Sequence, residues 1–230
     1  MKKLLIVLFV MVTLMASASF AKAEYATITL DGNTVDWAGI SAIGTDDPND
    51  TGNGNYDLLS AYMANNDSDL FLRLDVANYI DISAGNSYQL WIDADNKSTT
   101  GFIGAGGTWA FGADYRLYMD KWYIGLQAHT GSQTSDTWQY PSSLEAMVSW
   151  DAGVLEMQTA LSNMGLSEGD IIKVVGNAGW YSDMIGDPDY TPLSYTMASD
   201  STSVVPEPSS MILLGTGLCG LFSYIGKKKK

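Results

Sequence analysis

Four consecutive residues near the middle of the chain, Asp93-Ala94-Asp95-Asn96, place two carboxylates and an amide in one short stretch. They follow an apolar segment and continue into Thr99-Thr100-Gly101, a composition that is typical of a turn. Calcium prefers oxygen ligands and takes about six to eight of them. The pattern predicts a calcium site at the end of a strand, with Asp93, Asp95 and Asn96 as ligands. The alternative is that these side chains only cap and turn the chain.

A second acidic loop, residues 47–57, has oxygen donors at its first, third and fifth positions and glycine at its sixth. This is the order of ligands in an EF-hand loop. The twelfth position is Leu58, where an EF-hand carries a bidentate glutamate. We therefore interpret the segment as a flexible polar loop.

The tryptophans are the other residues able to bind a ligand. An indole ring stacks on the CH face of a sugar, while polar side chains bond to its hydroxyl groups. Trp91 shares one side of a predicted strand with Gln89 and Asp93, and three further tryptophans have loop-like surroundings. The candidate carbohydrate contacts are Trp91, Trp109, Trp138 and Trp180. The alternative is that they pack in a hydrophobic core.

Groups for nucleophilic catalysis are sparse. The one histidine, His129, lies in a polar stretch typical of a solvated turn, and the one cysteine, Cys219, lies near the C-terminus. The usual nucleophile-and-base arrangements therefore lack their parts, so we predict no enzymatic activity. A glycoside hydrolase remains an alternative, because the separation of two carboxylates is not visible in a sequence.

Strands must position these residues, because the apolar pattern has a period of two almost throughout. In residues 70–76, leucines and valine fall on one face while Phe71, Arg73 and Asp75 fall on the other. Only 160–166 resembles a helical turn. The predicted strands are 25–30, 58–64, 70–76, 87–93, 113–119, 122–127, 144–150, 154–159 and 171–177. Short strands at this spacing predict an all-β fold, an antiparallel β-sandwich or jelly roll.

The charge of the central region limits its partners. Residues 24–203 carry five basic and 25 acidic residues, a net charge of −20. Such a field repels nucleic acids and anionic membranes, so we predict neither as a partner. The region has no cysteine, so no internal disulfide can form. Stability must come from packing, with calcium as a predicted cofactor.

Several short motifs of the central region occur in a recognisable order. Leu30-Asp31-Gly32 and Asp36-Trp37 come first, then residues 69–74, then 91–101, then Ala113-Asp114-Tyr115 and a strand with Glu156. This order resembles family-nine carbohydrate-binding modules and their DOMON-like relatives, which are β-sandwiches. The resemblance implies a sugar ligand and adds Asp114 to the calcium ligands. The two tryptophans that hold the sugar in that family have no residue-by-residue counterpart here.

Both ends of the chain indicate export. Lys2 and Lys3 precede an apolar stretch that ends in Ala21-Lys22-Ala23, the pattern of a secretory signal peptide over residues 1–23 with cleavage after Ala23. At the other end an apolar run, 211–225, precedes four lysines at 227–230. By the positive-inside rule these lysines stay in the cytoplasm, which places the central region outside.

The residues before that run make the C-terminal signal specific. Val205-Pro206-Glu207-Pro208-Ser209, a Leu/Gly-rich apolar segment and a basic terminus resemble the PEP-CTERM sorting signal of Gram-negative bacteria. The resemblance implies cutting near Pro206, Glu207 and Pro208 by an exosortase, a membrane transpeptidase, and a link to exopolysaccharide and biofilm. The predicted organisation is a β-sandwich over 24–197, a linker over 198–203 and a sorting signal over 204–230 with a transmembrane segment at 211–225.

The functional hypothesis joins these parts. The chain is predicted to leave the cytoplasm by the Sec pathway, to sit transiently in the inner membrane, and to reach the outer surface or extracellular matrix. Its calcium-stabilised β-sandwich would bind exopolysaccharide or another glycan. The alternative is a structural surface protein of the biofilm with no small ligand.

Overall fold

Two antiparallel β-sheets form the part of the chain that the structure describes, which confirms the predicted all-β sandwich. The computed structural model describes residues 24–80, 82, 87–140, 146–179, 182–188 and 191–200. All of these except Asp200 belong to one unit, Met1–Ser199, which is separate from Asp200–Lys230. Some of the residues predicted to have a functional role lie outside the described ranges, namely Ala21, Ala23, Trp180, Pro206, Glu207 and Pro208.

The described strands are short, and two 3-10 turns accompany them. The strands are β1 (Gly44–Thr45), β2 (Leu58–Asn65), β3 (Asp69–Val76), β4 (Tyr88–Asp93), β5 (Tyr115–Met119), β6 (Ile124–His129), β7 (Trp138–Gln139), β8 (Ala146–Asp151), β9 (Val154–Ala160), β10 (Ile171–Ala178), β11 (Asp183–Ile185) and β12 (Leu193–Thr196). The 3-10 turns are Val35–Trp37 and Leu161–Asn163.

The first sheet has the strand order β1-β2-β3-β9-β8. The second has the order β11-β10-β4-β5-β6-β7, and β12 also pairs with β10. The alternation seen in the sequence sends one set of apolar side chains from each sheet into a shared core, including Leu72 and Leu74 from β3 and Leu90 and Ile92 from β4. Side chains of the opposite parity form the outer face of each sheet.

The N-terminal segment covers the outer face of the first sheet. Trp37 is 2% exposed and packs with Phe71, which the alternation had placed on the polar side of β3. Glu156 on β9 fixes this segment: its Oε1 accepts a hydrogen bond from the Trp37 indole at 2.7 Å, and its Oε2 accepts the amides of Asp31 and Gly32. The motifs around Asp31, Trp37 and Glu156 therefore meet at one structural contact.

Some predicted strands have different limits. Residues 25–30 pair only through a bridge from Tyr25 to Asn65, because the rest of this segment lies across the first sheet. The strand predicted to begin at residue 122 begins at Ile124, because Asp120 Oδ1 accepts the amides of Trp122 and Tyr123 and holds them in a turn. Strands β1, β7, β11 and β12 are two to four residues long, too short to show alternation.

Asn65, the last residue of β2, joins the two ends of the sandwich. Its side-chain Oδ1 accepts the Tyr195 hydroxyl at 2.8 Å and the Ala198 amide at 2.7 Å, and its Nδ2 donates to the Ala198 carbonyl at 2.9 Å. Its backbone bonds to Glu24 and Ala26. The buried Asn65 thus holds the start of the folded domain through its backbone and the end through its side chain.

Asn65→Ala is expected to lower the free energy of unfolding by about 2 kcal/mol, because it leaves the buried amide of Ala198 without a partner. Urea denaturation measures the change. Tyr195→Phe removes one hydrogen bond of the same cluster, so the two changes together should cost less than the sum of the single changes. Full additivity would contradict the shared network.

Candidate functional site

The outer face of the second sheet carries the candidate site. Strand pairing aligns Asn177, Gln89 and Tyr118 in one row across β10, β4 and β5. The next row contains Val175, Trp91, Arg116 and Gln127. All of these side chains have the parity opposite to the core residues of their strands. Amides, a guanidinium group and aromatic rings therefore share one face.

Trp91 is not the exposed platform that its neighbours suggested. Its side chain is buried, because the loop after β4 folds back over the sheet and places Trp109 against it, with ring centroids 4.6 Å apart. Phe102 and Phe111 complete this aromatic cap. Gly112 permits the fold-back, since a Cβ there would lie 1.8 Å from the Thr100 carbonyl oxygen. Trp91 therefore supports the face from beneath, and its own ring is not exposed to a sugar.

Trp109 and Trp138 are the other described tryptophans of the predicted set. Trp109 is half-buried and stacks on Phe111, with centroids 5.6 Å apart. Trp138 on β7 is also half-buried, donates from its indole to Asp136, and lies edge-on to His129. Both rings keep a partly exposed surface on this face, so they remain candidate contacts.

Arg116 is the charged centre of the face. Its guanidinium carbon lies 4.5 Å from the Trp138 ring centroid and 4.9 Å from that of Tyr118. It donates to Gln127 from Nε and to Gln89 from Nη1 at 3.4 Å. Stacking on two rings fixes the plane of the guanidinium group and leaves its hydrogen-bond donors oriented.

Two buried amides of this face are incompletely bonded, that of Gln127 next to Arg116 and that of Asn177 two strands away on β10. Gln127 and Asn177 are both 0% exposed, yet Nε2 of the first and Oδ1 of the second have no hydrogen-bond partner among the described residues. Buried polar atoms are nearly always bonded in folded proteins, so each of these atoms requires a water molecule or another polar group as its partner. One of them is a donor and the other an acceptor.

The predicted calcium ligands meet at the edge of this face. Asp93 ends β4 and Asp114 precedes β5, and one oxygen from each of Asp93, Asp95 and Asp114 lies within 4.8 Å of the others. The same groups also hold the turn. Asp114 Oδ2 accepts the Ala94 amide at 3.0 Å, and Asp93 and Asp95 both accept the amide of Lys97 at 3.0 Å. Asn96 lies within this turn with a left-handed φ of 55°.

Burial changes the proton affinities in this cluster. Desolvation, with added repulsion from Asp95 and Asp93, raises the pKa of Asp114 to about 6. Desolvation also raises the pKa of Asp93. Desolvation is the largest single effect on the pKa of Asp95 and opposes ionisation, but hydrogen bonds from Thr100 and Lys97 and the positive charge of Lys97 together outweigh it and lower the pKa. A positive ion among the three carboxylates would favour their charged forms.

In EDTA, the free energy of unfolding is expected to fall as the pH rises from about 4 to about 6, since the Asp114 pKa is about 6 in the folded state and roughly 3.9 in the unfolded state. Within this window the unfolded chain ionises first, so stability present at low pH is lost. Urea titrations across pH measure the slope. Asp114→Asn, which retains an acceptor for the Ala94 amide, should reduce it, and an unchanged slope would contradict the assignment.

An open cavity of about 630 Å³ lies beside the cluster. Its lining includes Asp95, Thr100, Asp114, Tyr115 and His129. The His129 ring packs against both Phe102 and Trp138, and its Nε2 bonds to the Ser135 carbonyl at 2.9 Å, so the imidazole is held in place as part of the wall.

Sequence reasoning missed Arg116, Gln127 and Asn177. The sequence signal that could have found them is strand alternation, because each of them occupies the opposite face of its strand from core residues such as Leu117, Leu126 and Val174. It was hidden because polar residues on an outward face usually only contact water. Their burial depends on neighbouring strands and loops, which parity does not reveal.

Comparison with known proteins identifies the C-terminal signal. Residues 204–228 match the PEP-CTERM protein-sorting motif, which confirms that prediction. No curated protein sequence matches the chain significantly. Among the described residues, no helix is both long and apolar enough to cross a membrane.

Solved structures similar to this chain include carbohydrate-binding proteins. A family-nine carbohydrate-binding module from Caldicellulosiruptor kristjanssonii in complex with cellotriose has 14% identity and a TM-score of 0.46, covering 80% of this chain and 96% of that one. A module of the same family and organism in complex with glucose has 12% identity and a TM-score of 0.46, and the match covers 80% of this chain and 98% of that one. A Bacteroides uniformis protein described as a putative carbohydrate-binding protein has 13% identity and a TM-score of 0.40, and the match covers 76% of this chain and 88% of that one.

Proposed function

We propose that this chain is an exported surface or matrix protein whose β-sandwich binds a glycan on the outer face of its second sheet. The observation that carries the proposal is Arg116, stacked between the rings of Trp138 and Tyr118 and bonded to Gln127, on the face that also carries Asn177. Sugars offer apolar CH faces to such rings and hydroxyl groups to such amides and guanidinium donors. Each type of group on this face has a complementary group on a glycan.

The test is retention of the full-length chain, purified in mild detergent, on a panel of immobilised polysaccharides that includes bacterial exopolysaccharide. Retention that is competed by the free glycan supports the proposal. Trp150→Ala is a control, because this partly exposed tryptophan lies on β8 of the other sheet and should not affect retention. No retention on any glycan would overturn the proposal and favour a structural role in the matrix.

The sorting motif extends the proposal to export. An exosortase is the proposed partner, and it would remove the tail near Pro206, Glu207 and Pro208 after the signal peptide is cleaved at Ala23. Mass spectrometry of the protein from cells with and without an exosortase gives the site of cutting. An unshortened C-terminus in both would contradict exosortase processing.

Calcium is the proposed cofactor at Asp93, Asp95 and Asp114. Three carboxylates within 4.8 Å of one another support a hard divalent cation there, which would link the end of β4 to the start of β5. This link would fix the edge of the glycan-binding face. The chain's own residues hold the turn, and the cation would add bonds between its two sides.

Calcium at about 100 times its dissociation constant is expected to raise the free energy of unfolding by about 2.7 kcal/mol if it occupies this site. Asp95→Asn should remove the contribution of this site, because it replaces a carboxylate ligand with an amide. Thermal melts in calcium and in EDTA measure both values. Asp67→Asn, at an exposed turn residue far from the cluster in sequence, should respond as the unaltered chain does. Equal responses from all three proteins would exclude the site.

A further inference from the structure

Aromatic rings continue beyond Arg116 along the edge of the second sheet. The Tyr118 ring, which lies beside the Arg116 guanidinium group, faces the Tyr123 ring with centroids 6.3 Å apart. Tyr123 in turn meets Tyr140 edge-on, with centroids 4.2 Å apart. Tyr140 directly follows β7, the strand that carries Trp138. We call these four rings, Trp138, Tyr118, Tyr123 and Tyr140, the aromatic strip.

Tyr123 reaches the strip because a glycine lies opposite Tyr118. Gly125 on β6 pairs with Tyr118, so a Cβ at this position would point to the same outer face. Such an atom would lie 2.5 Å from the Tyr123 hydroxyl oxygen, and this hydroxyl donates to the Leu126 carbonyl at 3.2 Å. The missing side chain therefore leaves the space in which the Tyr123 ring covers the sheet.

The strip becomes more accessible with distance from the aromatic cap over Trp91. Trp138 is half-buried and lies beside the cap residue Phe102, with ring centroids 6.0 Å apart. Tyr123 is also half-buried, whereas Tyr140 is 55% exposed. Three rings thus present surface side by side on one face, and the last of them is open to solvent.

The charges beside the strip do not favour an anionic ligand. The basic side chains Arg116 and Lys121 are matched in number by the acidic Asp120 and Asp136. Arg116 lies 3.5 Å from Asp136, and Asp120 accepts the Tyr118 hydroxyl at 2.9 Å. The central region as a whole carries 25 acidic and five basic residues, so its field repels an acidic glycan.

We propose that the aromatic strip binds successive sugars of an uncharged polysaccharide, so that the ligand is an extended glycan chain and not a single terminal sugar. This inference rests on the proposed glycan-binding function and specifies its ligand. One sugar stacks on one ring through its CH face, and neighbouring rings on one face match neighbouring sugars of a chain. The exposed end of the strip at Tyr140 lets the chain continue beyond the site.

The experiment is affinity electrophoresis of the full-length chain in mild detergent, with the polysaccharides of the retention panel dissolved in the gel. The panel includes uncharged galactomannan and dextran and anionic alginate. We expect retardation by an uncharged polymer and weaker retardation by alginate. Fragments of the retarding polymer with three or more sugars should compete at least about tenfold better than its single sugars. Stronger retardation by alginate, or equal competition by fragments and single sugars, overturns the inference.

Tyr140→Ala should weaken binding of the polymer by about tenfold and remove the advantage of the longer fragments. Tyr140→Phe keeps the ring and should restore most of the binding. Tyr79→Ala is the matched control, because Tyr79 follows β3 of the other sheet and is 56% exposed, against 55% for Tyr140. Melting curves check that all three variants are folded.

Two further results would overturn the inference in different ways. If Arg116→Ala lowers retention and Tyr140→Ala does not, the glycan-binding face stands but the aromatic strip does not extend it. If no polysaccharide of the panel retains the unaltered chain, the proposed function and this inference both fall.

Discussion

Glu156→Ala is expected to lower the free energy of unfolding by about 4 kcal/mol, among the largest effects of any single substitution in this chain. Glu156 is 0% exposed and accepts three hydrogen bonds, from the Trp37 indole and from the amides of Asp31 and Gly32. Alanine leaves all three donors without their acceptor and opens a cavity beneath the N-terminal segment.

Urea denaturation, with tryptophan fluorescence as one probe, measures this change because the Trp37 indole loses its hydrogen bond to Glu156. Glu156→Gln keeps one acceptor oxygen but turns an amide donor toward other donors, so it should also destabilise. Glu168→Ala is the control, since Glu168 is exposed. A loss of less than about 1 kcal/mol in Glu156→Ala would show that the N-terminal segment is not held by this carboxylate.

Arg116→Ala is expected to weaken glycan binding by about 30-fold or more, the effect of losing an arginine at the centre of a binding surface. The guanidinium group is held between the rings of Trp138 and Tyr118 and bonds to Gln127 and Gln89, so its removal disturbs both stacking and polar contacts. Arg116→Lys retains the charge but not the planar donor geometry, and should also bind weakly.

Arg73→Ala is a closely matched control for this prediction. The Arg73 side chain is 11% exposed, against 13% for Arg116, and it stacks on the Tyr62 ring at 4.4 Å on the other sheet. Affinity electrophoresis in polysaccharide gels compares the two variants after melting curves confirm that both are folded. Equal affinity for Arg116→Ala and the unaltered chain would place the glycan elsewhere.

The alternation of residue types predicted the strands well where inward-facing and outward-facing residues alternate over at least five positions. Strand β3 begins one residue before its predicted limit, and β9 ends one residue after. The same pattern predicted the wrong environment for Phe71, because a segment distant in sequence covers that face. Alternation indicates which side chains share a face, but not what packs on that face.

The acidic motifs show the same division. Asp93 and Asp95 were identifiable as candidate ligands because carboxylates at a spacing of two can share a turn, and the family resemblance added Asp114. Asp183 had no such signal, since only the packing of β11 brings it to Asp46 and Asp50. Proximity between residues far apart in sequence is a property of the folded chain.

The sequence by itself determined the period-two strands, the acidic charge, the absence of a domain disulfide and the C-terminal sorting motif. These are local or compositional properties, so each can be identified without knowing what lies beside it. The tertiary structure alone decided that Trp91 is covered, that Arg116 stacks between two rings, and that Asp183 lies close to Asp46 and Asp50. Burial and electrostatics depend on distances between strands and loops that the sequence separates.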